Sequence, residues 1–368
     1  MRVKLKDIFD LQMGKTPSRS NLEYWNTTDY KWISIADLTK TSKYIFETKE
    51  YLSKSAIKDS GIKVIPANTV VMSFKLSIGK TAITKEDMYS NEAIMAFKDK
   101  HVINIIPEYI FYLFKYKNWE ECSNKAVMGK TLNKATLSEI EVEICSIEKQ
   151  RQIVNILDKI MSAVDGRKQE LQLLDELIKA RFVEMFGDPV KNPKGWEVVT
   201  IGDIVTEVRY GTSKPAVEGG KYPYLRMNNL TADGHLDLND LKYIDIPDDE
   251  IEKCVVRKGD VLFNRTNSIE LVGKTVVFDL QEDMIIAGYI IRVRLNKRLL
   301  PEILSQYMNL EALKDILRSM AKGAVNQANI NAQELQSIKV YIPDMELQKQ
   351  FIEMKNQVDK SKVAVQKA

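Results

Sequence analysis

Short polar segments next to glycines and strand-like runs recur in both halves of this sequence of 368 residues. Arginine and lysine suit the edge of guanine, asparagine suits adenine, and serine or threonine suits either base. Lysines and backbone amides beside glycine also suit phosphate oxygens. We therefore predict DNA-binding residues in these segments. In the first half they are Lys15, Thr16, Ser18, Arg19, Ser73, Lys75 and Lys80. In the second half they are Arg209, Thr212, Ser213, Lys214, Arg226, Asn228, Asn264, Arg265, Thr266, Asn267 and Lys274.

The alternative for each of these residues is an ordinary solvated loop. The two halves place their polar segments at equivalent points, and they differ there while agreeing in the framework between them. That pattern favours binding, because loops held by a shared scaffold are where recognition residues usually lie.

The sequence predicts no catalytic site, metal or cofactor. Its only histidines are His101 and His235, and we find no cysteine or carboxylate at ligand spacing near either. The GKT triplets at Gly79 and Gly273 lack the preceding glycine of a phosphate-binding loop and do not open a helix. No glycine fingerprint for a dinucleotide follows a strand.

The pairs Asp188-Pro189 and Asn192-Pro193 superficially match part of an amino-methyltransferase motif. The aromatic residue that would stack on the target base is missing. We interpret both pairs as turns that follow a helix.

The elements that must position the polar segments are repeated. Residues 1–181 recur in degraded form from about residue 200 to the end. Matched landmarks include Asp7-Ile8 with Asp203-Ile204, and Gly14 with Gly211. The clearest match closes each copy: Ile140, Val142, Ile144, Glu148, Gln150 and Gln152 correspond to Ile338, Val340, Ile342, Glu346, Gln348 and Gln350. Two long copies predict two similar domains and not a solenoid of short repeats.

Composition agrees with two ordinary domains. The chain is 44% hydrophobic and 29% charged, and no stretch approaches the length of a membrane span. Without a secretory signal and with three isolated cysteines, a cytoplasmic location is expected. A net charge of +3 does not by itself indicate nucleic acid.

A long helix is predicted between the copies, over residues 148–186. Apolar residues alternate at steps of four and three through Ile153, Leu157, Ile160, Val164, Leu171, Leu174, Ile178 and Met185, with Arg167 and Arg181 as exceptions. That period is typical of a coiled coil. Phe186-Gly187-Asp188-Pro189 should end the helix, since glycine suits a left-handed cap.

The expected partner is residues 346–368, which place Phe351, Met354, Val358 and Val365 at similar spacing. Two such helices can pair antiparallel about a pseudo-twofold axis. Separate surface helices are the alternative, but they would leave a long apolar stripe in water.

The interior of each copy predicts a mixed α/β domain. Strands are expected for WISIADL, VIPANTVVMSF and IEVEI in the first copy, and for VVRKGDVLFNR, KTVVF and SIKVYI in the second. Helices are expected for PEYIFYLFKYKNWEEC and PEILSQYMNLEALKDILRSMA. The fold class is therefore α+β, with two mixed α/β domains (1–147 and 187–345) separated by the helices 148–186 and 346–368.

This chain resembles the DNA-specificity subunit of type I restriction-modification systems over essentially its whole length. The segments that carry the resemblance are MGKTLNKATLSEIEVEICSIEKQRQIVNILD, MFGDPVKNPKGWEVVTIGDI and AVNQANINAQELQSIKVYIPDMELQKQFIEM.

The resemblance implies two target-recognition domains that each read half of a split, double-stranded DNA target, with the helices fixing the spacing. It also implies that the chain is not an enzyme. Adenine methylation and cleavage would belong to two methyltransferase subunits and up to two restriction subunits that dock on it.

Helix geometry is compatible with that arrangement. A helix of about 34 residues is roughly 50 Å long, and one turn of DNA takes roughly 34 to 36 Å. The second helix is short for the family, which predicts an uncovered apolar stripe and self-association of the isolated chain. A monomer by light scattering at micromolar concentration would contradict that prediction.

Two other function classes remain open at the level of sequence. A duplicated nuclease or fused methyltransferase would need a carboxylate cluster with a lysine, or a cofactor motif, and neither is found. A scaffold that does not touch DNA would use its loops only for solvation. The target base sequence cannot be read from these residues.

Overall fold

The computed structural model describes residues 1–75, 77–119, 132–324 and 327–367. The chain divides into two compact units, Met1–Val164 and Asp165–Ala368. That division falls inside one long helix, and the finer limits given above for two domains and two helices stay a prediction. No helix in the described ranges is long and apolar enough to cross a membrane.

The first unit is mixed α/β, as predicted. Its strands are β1 (Arg2–Lys4), β2 (Phe9–Met13), β3 (Tyr30–Ile33), β4 (Tyr44–Ile45), β5 (Glu50–Leu52), β6 (Val70–Ser73), β7 (Thr81–Thr84), β8 (Tyr89–Ser90), β9 (Ile94–Asp99) and β10 (Glu141–Glu143). Its helices are α1 (Leu5–Ile8), α2 (Ile35–Lys40), α3 (Lys54–Ser60), α4 (Pro107–Tyr116) and α5 (Lys134–Glu139), with a 3-10 turn at Leu22–Tyr24.

A five-stranded sheet in the order β2-β9-β6-β7-β4 forms the centre of the first unit. Smaller sheets β5-β3-β8 and β1-β10 flank it. Helix α4, which opens with Pro107 in its first turn, buries an apolar face against the central sheet. Phe97 of β9 lies between Phe9 and Phe114, with ring centroids 5.9 and 4.7 Å away. These aromatic contacts fix α4 on the sheet.

The second unit repeats this plan. Its strands are β11 (Glu197–Thr200), β12 (Val205–Tyr210), β13 (Tyr222–Leu225), β14 (Lys242–Ile244), β15 (Val255–Val256), β16 (Val261–Asn264), β17 (Thr266–Asn267), β18 (Thr275–Val277), β19 (Met284–Ile286), β20 (Ile290–Leu295), β21 (Lys322–Ala324), β22 (Gln327–Asn329) and β23 (Lys339–Ile342). Its helices are α7 (Ile201–Ile204), α8 (Asp248–Cys254), α9 (Pro301–Met308), α10 (Glu311–Met320) and α11 (Ala332–Gln336), with a 3-10 turn at Met227–Asn229. The sheets are β12-β20-β16-β18, β14-β13-β19-β15, β17-β22-β21 and β11-β23.

The repeat extends to single side chains. Gln150 is fully buried, accepts from the amide of Ile106 at 2.9 Å and donates to the carbonyl of Cys145 at 3.0 Å. Gln348 is also fully buried and makes the equivalent bonds, accepting from Leu300 at 2.9 Å and donating to Pro343 at 2.8 Å. Buried amides need such partners, so the same glutamine ties the same two segments in each copy.

Several predicted elements are wrong in detail. The strand predicted for VVRKGDVLFNR is two strands, β15 and β16, which belong to different sheets. The segment WISIADL is strand only to Ile33, because Ser34 and Asp37 form a capping box that starts α2. The long helix predicted from Pro301 is broken at Asn309, which separates α9 from α10. The Asn309 side chain donates to the carbonyl of Thr275 at 2.6 Å, a contact that sequence periodicity does not reveal. The helix predicted over residues 107–122 ends at Tyr116, because Lys117 is extended. Residues 120–131, which include the last residues of that prediction and part of one signature segment, lie outside the described ranges.

The long helix between the copies is confirmed. Helix α6 runs from Ile147 to Phe186 without a break. It ends where predicted, since Gly187 has a φ of +88° and its amide donates to the carbonyl of Val183 at 2.7 Å. A side chain at Gly187 would meet Pro193 at 2.9 Å. The turn that follows is held by Asp188, whose carboxylate accepts from the amides of Val190 and Lys191.

Within the second unit, α12 (Met345–Lys367) pairs antiparallel with the C-terminal part of α6. Phe351 contacts Phe182 and Phe186, with ring centroids 5.2 and 5.6 Å away. Farther along, Lys362 forms an ion pair with Asp175. Residue numbers rise on one helix as they fall on the other, which is the antiparallel arrangement expected from the sequence.

Only part of the apolar stripe of α6 is buried. Ile178, Phe182 and Phe186 are buried in the core of the second unit. Ile160 and Val164 belong to the predicted seam but are exposed, Ile160 by 52%. The heptad prediction therefore identified the helix correctly, but it assigned exposed residues to the buried seam and left out Phe182 and Phe186.

Candidate nucleic-acid interface

Backbone hydrogen bonds bring the polar segments of the second unit together. The amide of Gly211 donates to the carbonyl of Ile290 at 3.1 Å, and the amide of Thr212 donates to Ile286 at 2.9 Å. The segment after β16 joins them, because the amide of Arg265 donates to Tyr289 at 3.0 Å. We call this surface the second loop cluster: residues 210–214, 226–230, 264–274 and 286–290.

The first unit has an equivalent surface, the first loop cluster: residues 13–20, 73–75, 77–80 and 90–94. Its backbone bonds run from the amides of Gly14, Lys15 and Phe74 to the carbonyls of Ile94, Ser90 and Ala93, at 3.1, 2.8 and 2.9 Å. Each bond has a counterpart in the second loop cluster. The two units therefore build their clusters on the same backbone frame.

One glycine in each cluster is required by this frame. A Cβ atom at Gly14 would lie 2.2 Å from the carbonyl oxygen of Asn91, and one at Gly211 would lie 2.1 Å from that of Ile286. Any side chain would have to push the neighbouring strand away. This close approach explains why glycine occurs at both equivalent positions.

Four of the predicted DNA-binding residues are buried, which corrects the sequence interpretation. Ser73 and Asn264 are 0% exposed, and Thr266 and Lys274 are nearly as buried. Asn264 donates to the carbonyls of Thr266 and Tyr289 at 3.1 and 3.2 Å. Ser73 binds the backbone of residues 77 and 80. These side chains hold the loops through hydrogen bonds within the fold.

Lys274 shows most directly that a side chain suited to DNA can serve inside the fold instead. Its ammonium donates to the carbonyls of Met227, at 2.7 Å, and Leu230, and burial lowers its pKa. Lys314 lies nearby and donates to the carbonyl of Gly273 at 2.6 Å and to Asn309 at 2.8 Å. Two buried lysines thus fasten the segments of the second loop cluster, since buried ammonium groups need acceptors.

Several other predicted residues are accessible but paired. Arg19 forms a bidentate pair with Glu50 and stacks 3.7 Å above the ring centroid of Trp25. The remaining pairs are Thr16 with Glu92, Arg209 with Glu207, Lys214 with Glu250, and Arg226 with Asp240. Such pairs would have to exchange partners to bind DNA, although exposed ion pairs are weak enough to do so.

The other predicted residues lie at or near the surface of the two clusters. Lys15 donates to the carbonyl of Ser60, Lys80 donates to Thr39 at 2.5 Å, and Lys75 lies 5.3 Å from the ring of Phe74. Ser18, Ser213 and Asn228 are exposed. Thr212 accepts from the amide of Lys214, Asn267 donates to Asn264, and Arg265 is half-buried.

Sequence reasoning missed the apolar part of the second loop cluster. Tyr210, Ile269, Leu271 and Tyr289 are exposed, Tyr289 by 51%. Exposed aromatic and apolar side chains beside arginine and asparagine can contact thymine methyls and the faces of bases. Gly288, directly before Tyr289, would have been the available signal.

The second unit also brings Asp175, Asp233 and His235 together, with one possible ligand atom from each lying within 4.8 Å of the others. The sequence interpretation overlooked this group because its third member, Asp175, lies on α6, far along the chain from Asp233 and His235. Asp175 is already paired with Lys362. Because that ammonium lies where a cation would bind Asp175, we assign no metal site to the group.

The comparisons with known proteins show the same duplication. The family model described as the type I restriction modification DNA specificity domain matches residues 1–176 and again residues 193–368. The specificity subunit of the type I restriction enzyme MjaIX of Methanocaldococcus jannaschii is 30% identical over 250 residues, which are 62% of this chain and 57% of that protein. The EcoKI specificity subunit of Escherichia coli is 26% identical over 64% of this chain and 54% of that protein. The chain thus spans little more than half the length of these relatives.

Two solved structures share the fold. A chain from a structure concerned with complex assembly and conformational transition of the type I R-M system matches with a TM-score of 0.57 and 18% identity, over 100% of this chain and 92% of that one. The S subunit from M. genitalium matches with a TM-score of 0.50 and 14% identity, over 100% and 91%. With two family matches that together cover most of its length, this chain belongs to the type I restriction modification DNA specificity family.

Proposed function

We propose that this chain is a sequence-specific DNA-binding subunit of a type I restriction-modification complex. Each unit reads one half of a bipartite target through its loop cluster. The chain is not an enzyme, and methylation and cleavage belong to separate methyltransferase and restriction subunits.

The observation that carries this proposal is the shared frame with different side chains. Equivalent backbone bonds build both loop clusters, yet Met13 and Ala93 in the first unit stand where Tyr210 and Tyr289 stand in the second. A constant scaffold with variable surface residues is what two readers of different half-sites require.

The charge pattern favours an assembly over binding by this chain alone. The net charge is only +3, and many basic side chains of the clusters are paired with carboxylates. Phosphate neutralisation provides much of the affinity for DNA. Partner subunits that contact the DNA backbone would therefore supply affinity, while the loop clusters supply selectivity.

Helix α6 offers a docking surface for those partners. Ile156, Ile160 and Val164 form an exposed row in the first unit, and Leu173 and Leu177 form one in the second. Residues four apart lie on one face of a helix, so each row is a continuous apolar strip. We assign one methyltransferase subunit to each row, since exposed apolar strips of this kind mark protein interfaces.

The experiment is reconstitution of the chain with its methyltransferase subunit, followed by selection of bound duplexes from a randomised DNA library. The proposal expects two short conserved blocks separated by a gap of fixed length. Binding without sequence preference, or a single continuous block, would refute it. The isolated methyltransferase subunit is the control and should select no such pair of blocks.

A further inference from the structure

We propose that Arg265 reads a guanine in the half-site of the second unit and that Tyr210 is its positioning residue. The inference rests on the proposed function, and it adds the identity of one base pair to it.

The backbone of Arg265 is fixed on both sides. Its amide donates to the carbonyl of Tyr289 at 3.0 Å, and its carbonyl accepts from the amide of Ile330 at 2.9 Å. Arg265 lies between the end of β16 and the start of β17, so two sheets hold it. Its side chain therefore leaves the cluster in a defined direction.

The guanidinium of Arg265 is supported by an aromatic ring. Its central carbon lies 4.9 Å from the ring centroid of Tyr210. The hydroxyl of Tyr210 accepts from the amide of Ala332 at 2.8 Å, which fixes the ring in turn. A cation over an aromatic face is attracted to it and loses little hydrogen-bonding capacity.

Arg265 differs from the paired arginines of the second unit. Arg209, Arg226, Arg257, Arg292, Arg294, Arg298 and Arg318 each form an ion pair with a carboxylate. In the described ranges no carboxylate pairs with Arg265. Its buried Nε has no hydrogen-bond partner, but that is also true of Arg226 and Arg292, so the missing carboxylate is the difference. The terminal nitrogens of Arg265 are not among the buried unpaired atoms, so they remain open to acceptors that a ligand supplies.

The first unit shows that the fold does not need a cation here. Phe74 occupies the equivalent position, with its amide bonded to Ala93 at 2.9 Å and its carbonyl to the amide of Leu132 at 3.1 Å. Phe74 is 1% exposed and belongs to the core. The same frame thus holds a buried phenylalanine in one unit and an unpaired arginine in the other.

Guanine is the acceptor that fits best. Burial of Nε leaves the two terminal nitrogens of the guanidinium, which can donate together to O6 and N7 of guanine in the major groove. The exposed neighbours Ile269, Leu271 and Tyr289 are apolar or aromatic and suit base edges better than phosphates. A bidentate contact of this kind discriminates against a wrong base by roughly 5- to 150-fold.

The test uses the complex with the methyltransferase subunit and its selected duplex. Each guanine of the second half-site is replaced in turn by 7-deazaguanine, which lacks N7. At one position the wild-type complex should lose roughly 5-fold or more in affinity, whereas the Arg265→Ala complex should lose nothing further. Arg265→Lys, which keeps the charge but not the fork, should lose selectivity at that same base pair.

Two variants separate positioning from general damage. Tyr210→Leu should relax selection at the same base pair without changing the salt dependence of binding, because it removes no charge. Arg298→Ala is the matched control, since Arg298 pairs with Glu197 beyond the opposite end of β20 and should leave selection unchanged. Thermal unfolding of each variant checks that the second unit is folded.

Three outcomes would overturn the inference while leaving the proposed function intact. They are a second half-site with only A·T pairs, a uniform loss of affinity for all sequences in Arg265→Ala, and equal sensitivity of wild type and Arg265→Ala to 7-deazaguanine. Loss of bipartite selection by the wild-type complex would instead refute the proposed function.

Discussion

Phe351 of α12 packs edge-on against Phe182 of α6, with ring centroids 5.2 Å apart and planes at 86°. Both rings are fully buried in the core of the second unit. Phe351→Ala should therefore lower its free energy of unfolding by about 3 to 5 kcal/mol. Hydrogen exchange should show lost protection in residues 165–367. The control Leu173→Ala removes an exposed side chain on α6, and it should change stability by no more than about 0.5 kcal/mol. Similar effects of the two substitutions would contradict the pairing of α6 with α12.

Lys314 predicts an unusual dependence of stability on pH. Burial lowers its pKa from 10.5 to about 8. Between these values the unfolded chain binds more protons at this site than the folded chain, so the free energy of unfolding should rise with pH. Relative to Lys314→Met, the wild type should gain about 2 kcal/mol between pH 8 and 10. Denaturant unfolding of both proteins at the two pH values measures this gain, and a constant or falling difference would contradict it.

Glu207 pairs with three arginines in the sheet β12-β20-β16-β18 of the second unit: Arg209, Arg292 and Arg294. Its carboxylate accepts from Arg292, which is fully buried, and from Arg294, both at 2.8 Å. Glu207→Ala should cost about 3 to 5 kcal/mol, because a buried cation would lose its carboxylate. Glu197→Ala breaks the exposed pair with Arg298 and should cost less than about 1 kcal/mol. Urea unfolding would compare them, and equal costs would show that the Arg292 pair contributes no more than a surface pair.

The exposed row on α6 predicts where a partner binds. Ile160→Lys should weaken assembly with the methyltransferase subunit by about tenfold or more, because it places a charge in a desolvated interface. Its effect on the melting temperature of the free chain should be small, since Ile160 is exposed. Sedimentation or titration calorimetry of the mixture measures assembly, with Lys159→Ala as a neighbouring control. Undiminished assembly would show that partners bind elsewhere.

The larger features could be predicted from the sequence because they are periodic. The duplication, the helix from Ile147 to Phe186 and its stop at Gly187 each follow from a spacing or a residue type with a local cause. The break at Asn309 could not be predicted, because it depends on a hydrogen bond to Thr275, a residue distant along the chain.

The candidate site was less predictable because its side chains also bind residues that are distant along the chain. Asn264 and Lys274 have side chains suited to DNA, but their partners are backbone carbonyls of other loops. Residue type does not reveal whether a polar group is satisfied within the fold. Arg265 could be chosen from the sequence, yet only the structure shows that it stacks on Tyr210 and, in the described ranges, lacks the carboxylate partner that Arg209 and Arg226 have.

The most direct test is methylome sequencing of cells that express the methyltransferase with wild-type chain, Gly14→Ala or Gly211→Ala. Each substitution forces a Cβ atom against the neighbouring strand in one loop cluster only. The wild type should methylate a bipartite motif, Gly14→Ala should relax or abolish selection in one half, and Gly211→Ala should do so in the other. A continuous motif, or the same half altered by both substitutions, would contradict one reader in each unit.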